Sequence, residues 1–158
     1  MKYLLKTLLG GKKREVTNDN LTSTFLASCY EETKKIGYQF GKSVSNKGAI
    51  VCLEGDLGSG KTTFVKGIAT AVGINETLIT SPTFNYLNIF DRLVHFDLYR
   101  LKSYHEFLSM GFDEYFDDQL IVCIEWPHVI KAILPKQLYW IKLNHNLCGR
   151  SIIINKLA

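Results

Sequence analysis

A glycine-rich turn between two apolar stretches places the strongest constraint on this chain. Residues Leu53–Phe64 read LEGDLGSGKTTF, and Gly55, Gly60, Lys61 and Thr62 complete the pattern GxxxxGK[ST] without substitution. A backbone that wraps an anion must turn successive N–H groups inward, and glycines at positions 55, 58 and 60 permit the dihedrals and close approach this needs. Ala49–Leu53 is a short, wholly apolar run of the kind that fills a strand covered on both faces. Lys61–Val72 reads as a helix stopped by Gly73, and its positive end faces whatever the turn holds. The expected contacts to a nucleoside triphosphate are therefore Asp56, Leu57, Gly58, Ser59, Gly60, Lys61, Thr62 and Thr63. Lys61 is placed to reach the β- and γ-phosphates, and the Thr62 hydroxyl to meet Mg2+. A turn that binds nothing is the bland alternative; a strand before it and a helix after it argue against that.

The remainder of the chain has to cover this strand. With 158 residues, 46% apolar and 22% charged, the sequence fits one globular domain and excludes wholesale disorder or a fibrous repeat. Nineteen Lys and Arg against fifteen Asp and Glu leave a net charge of +4, a tilt toward polyanions far short of a protein that coats nucleic acid. The first twenty residues are basic, with no acid before Glu15, and their apolar patch at Tyr3–Leu9 lacks the longer apolar core and small-residue cleavage site of a secretory signal. They are set apart as an extension, floppy or adding a strand, outside a domain spanning 21–158. Cys29, Cys52, Cys123 and Cys148 form no CxxC pair, and two of them lie in apolar runs, which points to a reducing, cytoplasmic setting. No apolar run approaches the roughly 18 residues that a membrane span requires.

Leu21–Ala27 reads as a first strand. Ser28 stands three residues before Glu31 at capping-box spacing, and Cys29, Thr33, Ile36, Phe40 and Val44 follow on one helical stripe. Leu120–Glu125 and Leu93–Asp97 are apolar runs that each end in an acid, the second paired with Thr83–Ile89 as a hairpin. Beside a phosphate loop, Asp97 and Glu125 become candidate magnesium carboxylates, and which of them touches the ion is left open. Thr80–Phe84 carries hydroxyls where a switch-like segment could meet a phosphate or the metal, although Ser-Pro-Thr is also an ordinary turn. Arg92, Arg100 and Arg150 are candidates for charge neutralisation against a default of surface solvation. His95, inside an apolar strand, reads as a packed or supporting histidine rather than a ligand. Ser103 and Glu106 cap a short helix through Met110, and Gln137–Leu143 with Arg150–Asn155 form a hairpin closing the C-terminal edge.

Taken in order, GDLGSGKTTF at Gly55–Phe64, SPTFNY at Ser81–Tyr86, HFDLYRL at His95–Leu101, MGFDEYF at Met110–Phe116 and IEWP at Ile124–Pro127 resemble the TsaE (YjeE) family, over about Ser28 to Arg150. That family comprises the bacterial ATPases of tRNA threonylcarbamoyladenosine biosynthesis. The resemblance implies an ATP- and Mg2+-dependent hydrolase in which Lys61 and Thr62 hold phosphate and metal. It further implies Asp97 as the acidic metal partner, Glu125 as the second essential carboxylate, Thr83 contributing from the switch-like segment and Trp126 close to the nucleotide. The implied partners are TsaD and TsaB homologues, which modify adenosine 37, so that tRNA is engaged through the complex. Two departures stand out: an N-terminal extension longer than is usual, and His128 where the family often places an acid.

The expected architecture is α/β, a three-layer P-loop NTPase-like domain with a mostly parallel central sheet and antiparallel additions. Two rival functions share the phosphate loop. A small-molecule kinase needs an acceptor pocket and usually an arginine-bearing lid, and Leu101–Leu120 supplies no arginine there. A nucleotide-dependent scaffold with negligible turnover differs from a hydrolase only in phosphate release.

Overall fold

The computed structural model describes residues 13–17 and 20–157; residues 1–12, 18–19 and 158 lie outside the described residues. Lys13–Thr17, within the segment set apart as an extension, forms strand β1. It pairs antiparallel with β2, Asn20–Ala27. Then follow α1 (Tyr30–Val44), β3 (Ala49–Glu54), α2 (Lys61–Ala71), β4 (Leu87–Ile89), β5 (Leu93–Asp97), α3 (Tyr104–Ser109), β6 (Ile121–Glu125), β7 (Leu138–Asn146) and β8 (Gly149–Leu157).

One eight-stranded sheet results, in the order β1-β2-β8-β7-β3-β6-β5-β4. Its centre is parallel: β7, β3, β6 and β5 run together. The flanking strands are antiparallel. The three-layer expectation is met because β3 is apolar on both faces and alternates between them. Val51 and Leu53 join Phe40, Val44, Phe64 and Ile68 of α1 and α2. Ile50 and Cys52 face the opposite layer, where Phe107, Phe112 and Ile130 come from α3 and the 3-10 turns Phe112–Tyr115 and Pro127–Ile133.

Two local expectations are corrected. The Ser28–Glu31 capping box does not form: the N-cap is Cys29, so the third helical residue is Glu32. Glu32 accepts from both Ser28 N–H (2.7 Å) and Ser28 Oγ (2.9 Å). The second pair forms half of its box: Glu106 N–H donates to Ser103 Oγ at 3.3 Å, while the Glu106 carboxylate accepts from the Lys102 N–H at 3.0 Å rather than from that of Ser103. The C-terminal hairpin is not an edge. Leu138, Ile141 and Leu143 are buried along β7, which lies parallel beside β3, while β8 is covered by β2; the edges are β1 and β4.

Glycines let α1 and α2 approach closely. A Cβ on Gly67 would run into the Lys34 carbonyl oxygen, and one on Gly37 into that of Phe64. This contact seats the helix that begins at Lys61.

Candidate functional site

The loop between β3 and α2 is shaped by left-handed glycines, with φ of 77° at Gly58 and 100° at Gly60. No side-chain cap closes α2 at Gly60, so its first N–H groups stay available to an anion. Lys61 folds back over the loop: Nζ donates to the carbonyls of Gly55 (2.8 Å) and Asp56 (2.9 Å) and lies 4.2 Å from the centroid of the Trp126 ring. Burial lowers its pKa below the usual lysine range, against the opposing pull of Glu125, Asp97 and Asp56.

Sheet register assembles the opposite wall. Asp97 and Glu125 are cross-strand neighbours at the ends of β5 and β6, and period-two alternation puts His95 on the same face. Both carboxylates are buried, at 3% exposure each. Thr62 Oγ1 donates to Glu125 Oε1 at 2.8 Å, and His95 Nε2 lies 2.9 Å from the same oxygen. Asp97 Oδ2 accepts from Ser81 Oγ and from Thr83 Oγ1, the latter at 2.7 Å, while Asp97 Oδ1 takes the Tyr99 N–H at 3.1 Å. Trp126 has a left-handed backbone, φ 59°, unusual for a bulky residue, which turns its ring back over Lys61 and beside Tyr99, 5.0 Å between centroids.

These groups line one cleft of about 420 Å³. Of the expected residues it contains Leu57, Gly58, Gly60, Lys61, Thr62, Thr63, Thr83, Asp97, Glu125 and Trp126. Asp56 and Ser59 are not in its lining: Asp56 offers its carbonyl to Lys61, and Ser59 is turned into the back of the loop, its hydroxyl buried with no partner among the described residues. Two further lining residues are Ser81, which the sequence offered only as part of the hydroxyl-bearing segment Thr80–Phe84, and Tyr99, which was not singled out from sequence. The signal for Ser81 lay in its spacing, since it stands two residues before Thr83 and both hydroxyls reach one carboxylate.

The arginines separate. Arg92 donates to the Ser45 carbonyl, Arg100 lies over the exposed Phe84 ring at 4.4 Å, and Arg150 packs behind the loop, where a Cβ on Gly60 would strike its guanidinium.

The donor set suits magnesium held jointly with phosphate. Among the described residues no group of three or more His, Cys, Asp or Glu side chains could cage an ion. Thr62, Asp97 and Glu125 instead supply hard oxygens beside an anion cradle, the arrangement Mg2+ takes when phosphates and waters complete its shell.

A parallel β-loop-α unit with this cradle defines a P-loop NTPase-like protein. The family model described as "Threonylcarbamoyl adenosine biosynthesis protein TsaE" matches residues 27–152, and the chain belongs to the TsaE family. It is 40% identical over 111 residues to the tRNA threonylcarbamoyladenosine biosynthesis protein TsaE of Bacillus subtilis, covering 68% of each chain. To the protein of the same name from Rickettsia conorii it is 41% identical over 134 residues, covering 79% of this chain and 74% of the other. The crystal structure of Bacillus subtilis YdiB superposes with a TM-score of 0.65 at 32% identity, covering 88% of this chain and 86% of that one. Among the described residues no helix is long and apolar enough to cross a membrane.

Proposed function

We propose that this chain is a magnesium-dependent ATP hydrolase required for the threonylcarbamoyl modification of adenosine 37 in tRNA. The observation that carries the hydrolase reading is the convergence of Lys61 and Thr62 with Asp97 and Glu125 in one cleft. The names of its relatives support the place in tRNA threonylcarbamoyladenosine biosynthesis.

The division of labour follows from the contacts. Lys61 exchanges the carbonyls of Gly55 and Asp56 for β- and γ-phosphate oxygens, which are better partners for a buried ammonium. The Thr62 hydroxyl, which donates to Glu125 in the free protein, would help hold the metal, and Asp97, steadied by Ser81, Thr83 and the Tyr99 N–H, presents an oriented carboxylate to it. Held there, Mg2+ would supply positive charge against the charge that develops on the transferring phosphoryl oxygens. The Trp126 ring centroid lies 4.2 Å from the Lys61 ammonium, within reach of a cation–π contact.

The reading includes TsaD and TsaB homologues as partners, tRNA engaged through that assembly, no membrane attachment and a cytoplasmic location. Phosphate release by the protein alone, then with TsaD, TsaB and tRNA, tests it. Turnover without an acceptor, stimulated by the partners, is expected. A requirement for a small-molecule acceptor would identify a kinase, and persistent binding without turnover a scaffold.

A further inference from the structure

His95 lies in the middle of β5 with no exposed surface, and among the described residues its side chain makes one polar contact, 2.9 Å from Nε2 to Glu125 Oε1. A bare ring nitrogen there would set its lone pair against the carboxylate, so Nε2 carries a proton and donates it. Nδ1 is buried with no hydrogen-bond partner among the described residues. The position therefore leaves one nitrogen unpaired in the interior, where an apolar side chain would pack free of that cost. Packing alone does not call for a histidine.

Glu125 Oε1 accepts twice, from His95 Nε2 and from Thr62 Oγ1. Oε2 bonds to no described residue and is the oxygen left to the cleft. The two donors differ in what they do next. In the hydrolase reading, on which this inference rests, the threonine hydroxyl is needed by the metal once nucleotide enters. The histidine approaches from within the sheet, where nothing draws it away.

We propose that His95 is a positioning residue for Glu125: its Nε2–H pins Oε1 from the buried side, so that Oε2 stays presented to the cleft when Thr62 turns to the metal. Without that bond the carboxylate is left to the pull of the Lys61 ammonium on the other side of the cleft.

Three variants of the full chain separate positioning from packing. A glutamine amide nitrogen reaches the place of Nε2, an asparagine nitrogen stops near the place of Nδ1, and leucine supplies no donor. Turnover, thermal melting and calorimetric binding of a non-hydrolysable ATP analogue, with and without Mg2+, are measured on each. His95→Gln is expected to keep kcat within about threefold of wild type. His95→Asn and His95→Leu are expected to lose about 10–100-fold, the usual effect of removing a partner that orients a ligand. In those two, KM for ATP and Tm stay near wild type, and the gain in analogue affinity conferred by Mg2+ falls several-fold.

Equal losses in all three variants, losses that track a falling Tm, or wild-type kcat in His95→Leu overturn the proposal; so does failure of all three to fold. A wild-type chain that binds the magnesium-analogue pair without hydrolysing ATP rejects the hydrolase reading, while the Mg2+ comparison still decides the role of His95.

Discussion

Thr62 Oγ1 donates a 2.8 Å hydrogen bond to Glu125 Oε1, tying the first turn of the phosphate-loop helix to the end of a strand 63 residues further along the chain. The bond holds a hydroxyl and a carboxylate of the candidate metal site against each other. Glu125→Gln and Asp97→Asn keep the shape of the cleft and remove one charge each. Each is expected to slow hydrolysis by about 100-fold or more with little change in Tm. Phosphate-release kinetics check this, and retained activity in both variants removes the proposed metal site.

Lys61 makes ATP affinity depend on pH in a set direction. Burial lowers its pKa in the free protein, and bound phosphates favour its charged form, so the complex holds more protons than the free chain at alkaline pH. Binding then takes up protons and weakens as pH rises. Calorimetry in alkaline buffers of different ionisation enthalpy should show uptake, and Lys61→Ala should lose both the uptake and hydrolysis while keeping its far-ultraviolet spectrum. Proton release by the wild type, or turnover by the variant, contradicts the role of the lysine.

The four thiols should divide into two classes. Cys29 and Cys148 are exposed, whereas Cys52 and Cys123 are fully buried in adjacent strands. Burial pushes the Cys52 thiol up to about 12 and raises that of Cys123 as well, so little thiolate exists at neutral pH. A chromogenic thiol reagent at pH 7.5 is expected to find two fast groups in the native protein and four after denaturation. Rapid native reaction of Cys52 would mean that the sheet opens.

Gly67→Ala should destabilise the fold and weaken nucleotide binding together. The added methyl meets the Lys34 carbonyl oxygen and the Tyr38 backbone nitrogen, main-chain atoms that cannot step aside as a flexible side chain can. Overpacking of this kind costs about 1–3 kcal/mol. Pushing α1 and α2 apart also displaces Lys61 at the start of α2. Urea unfolding and calorimetry measure the two effects; wild-type stability would contradict the tight contact, and reduced stability with wild-type binding would show that the helices separate without disturbing the loop.

Features governed by neighbours along the chain are legible in the residues themselves. GxxxxGK[ST] after an apolar strand identifies the phosphate loop because glycine conformations and helix N-termini are local properties. Continuous apolar runs that end in an acid likewise place Asp97 and Glu125 at strand ends. Even local reading slips where one residue shifts the frame, as at Ser28, whose partner is Glu32 because the helix starts at Tyr30.

The pattern of apolar and polar residues marked most of the strands, including the apolar runs covered on both faces, because burial follows from side-chain chemistry; it overran at Thr83–Ile89, where residues 83–85 form a turn and the strand is only Leu87–Ile89. Only the tertiary structure decided the strand order, and with it the insertion of β7 beside β3 and the meeting of Thr62, His95 and Glu125. Ser81 on Asp97 and Lys61 over the Trp126 ring belong to the same class. Such contacts join residues far apart in the chain, and their existence depends on which strands become neighbours, a choice made by the packing of the whole sheet rather than by any short stretch of sequence.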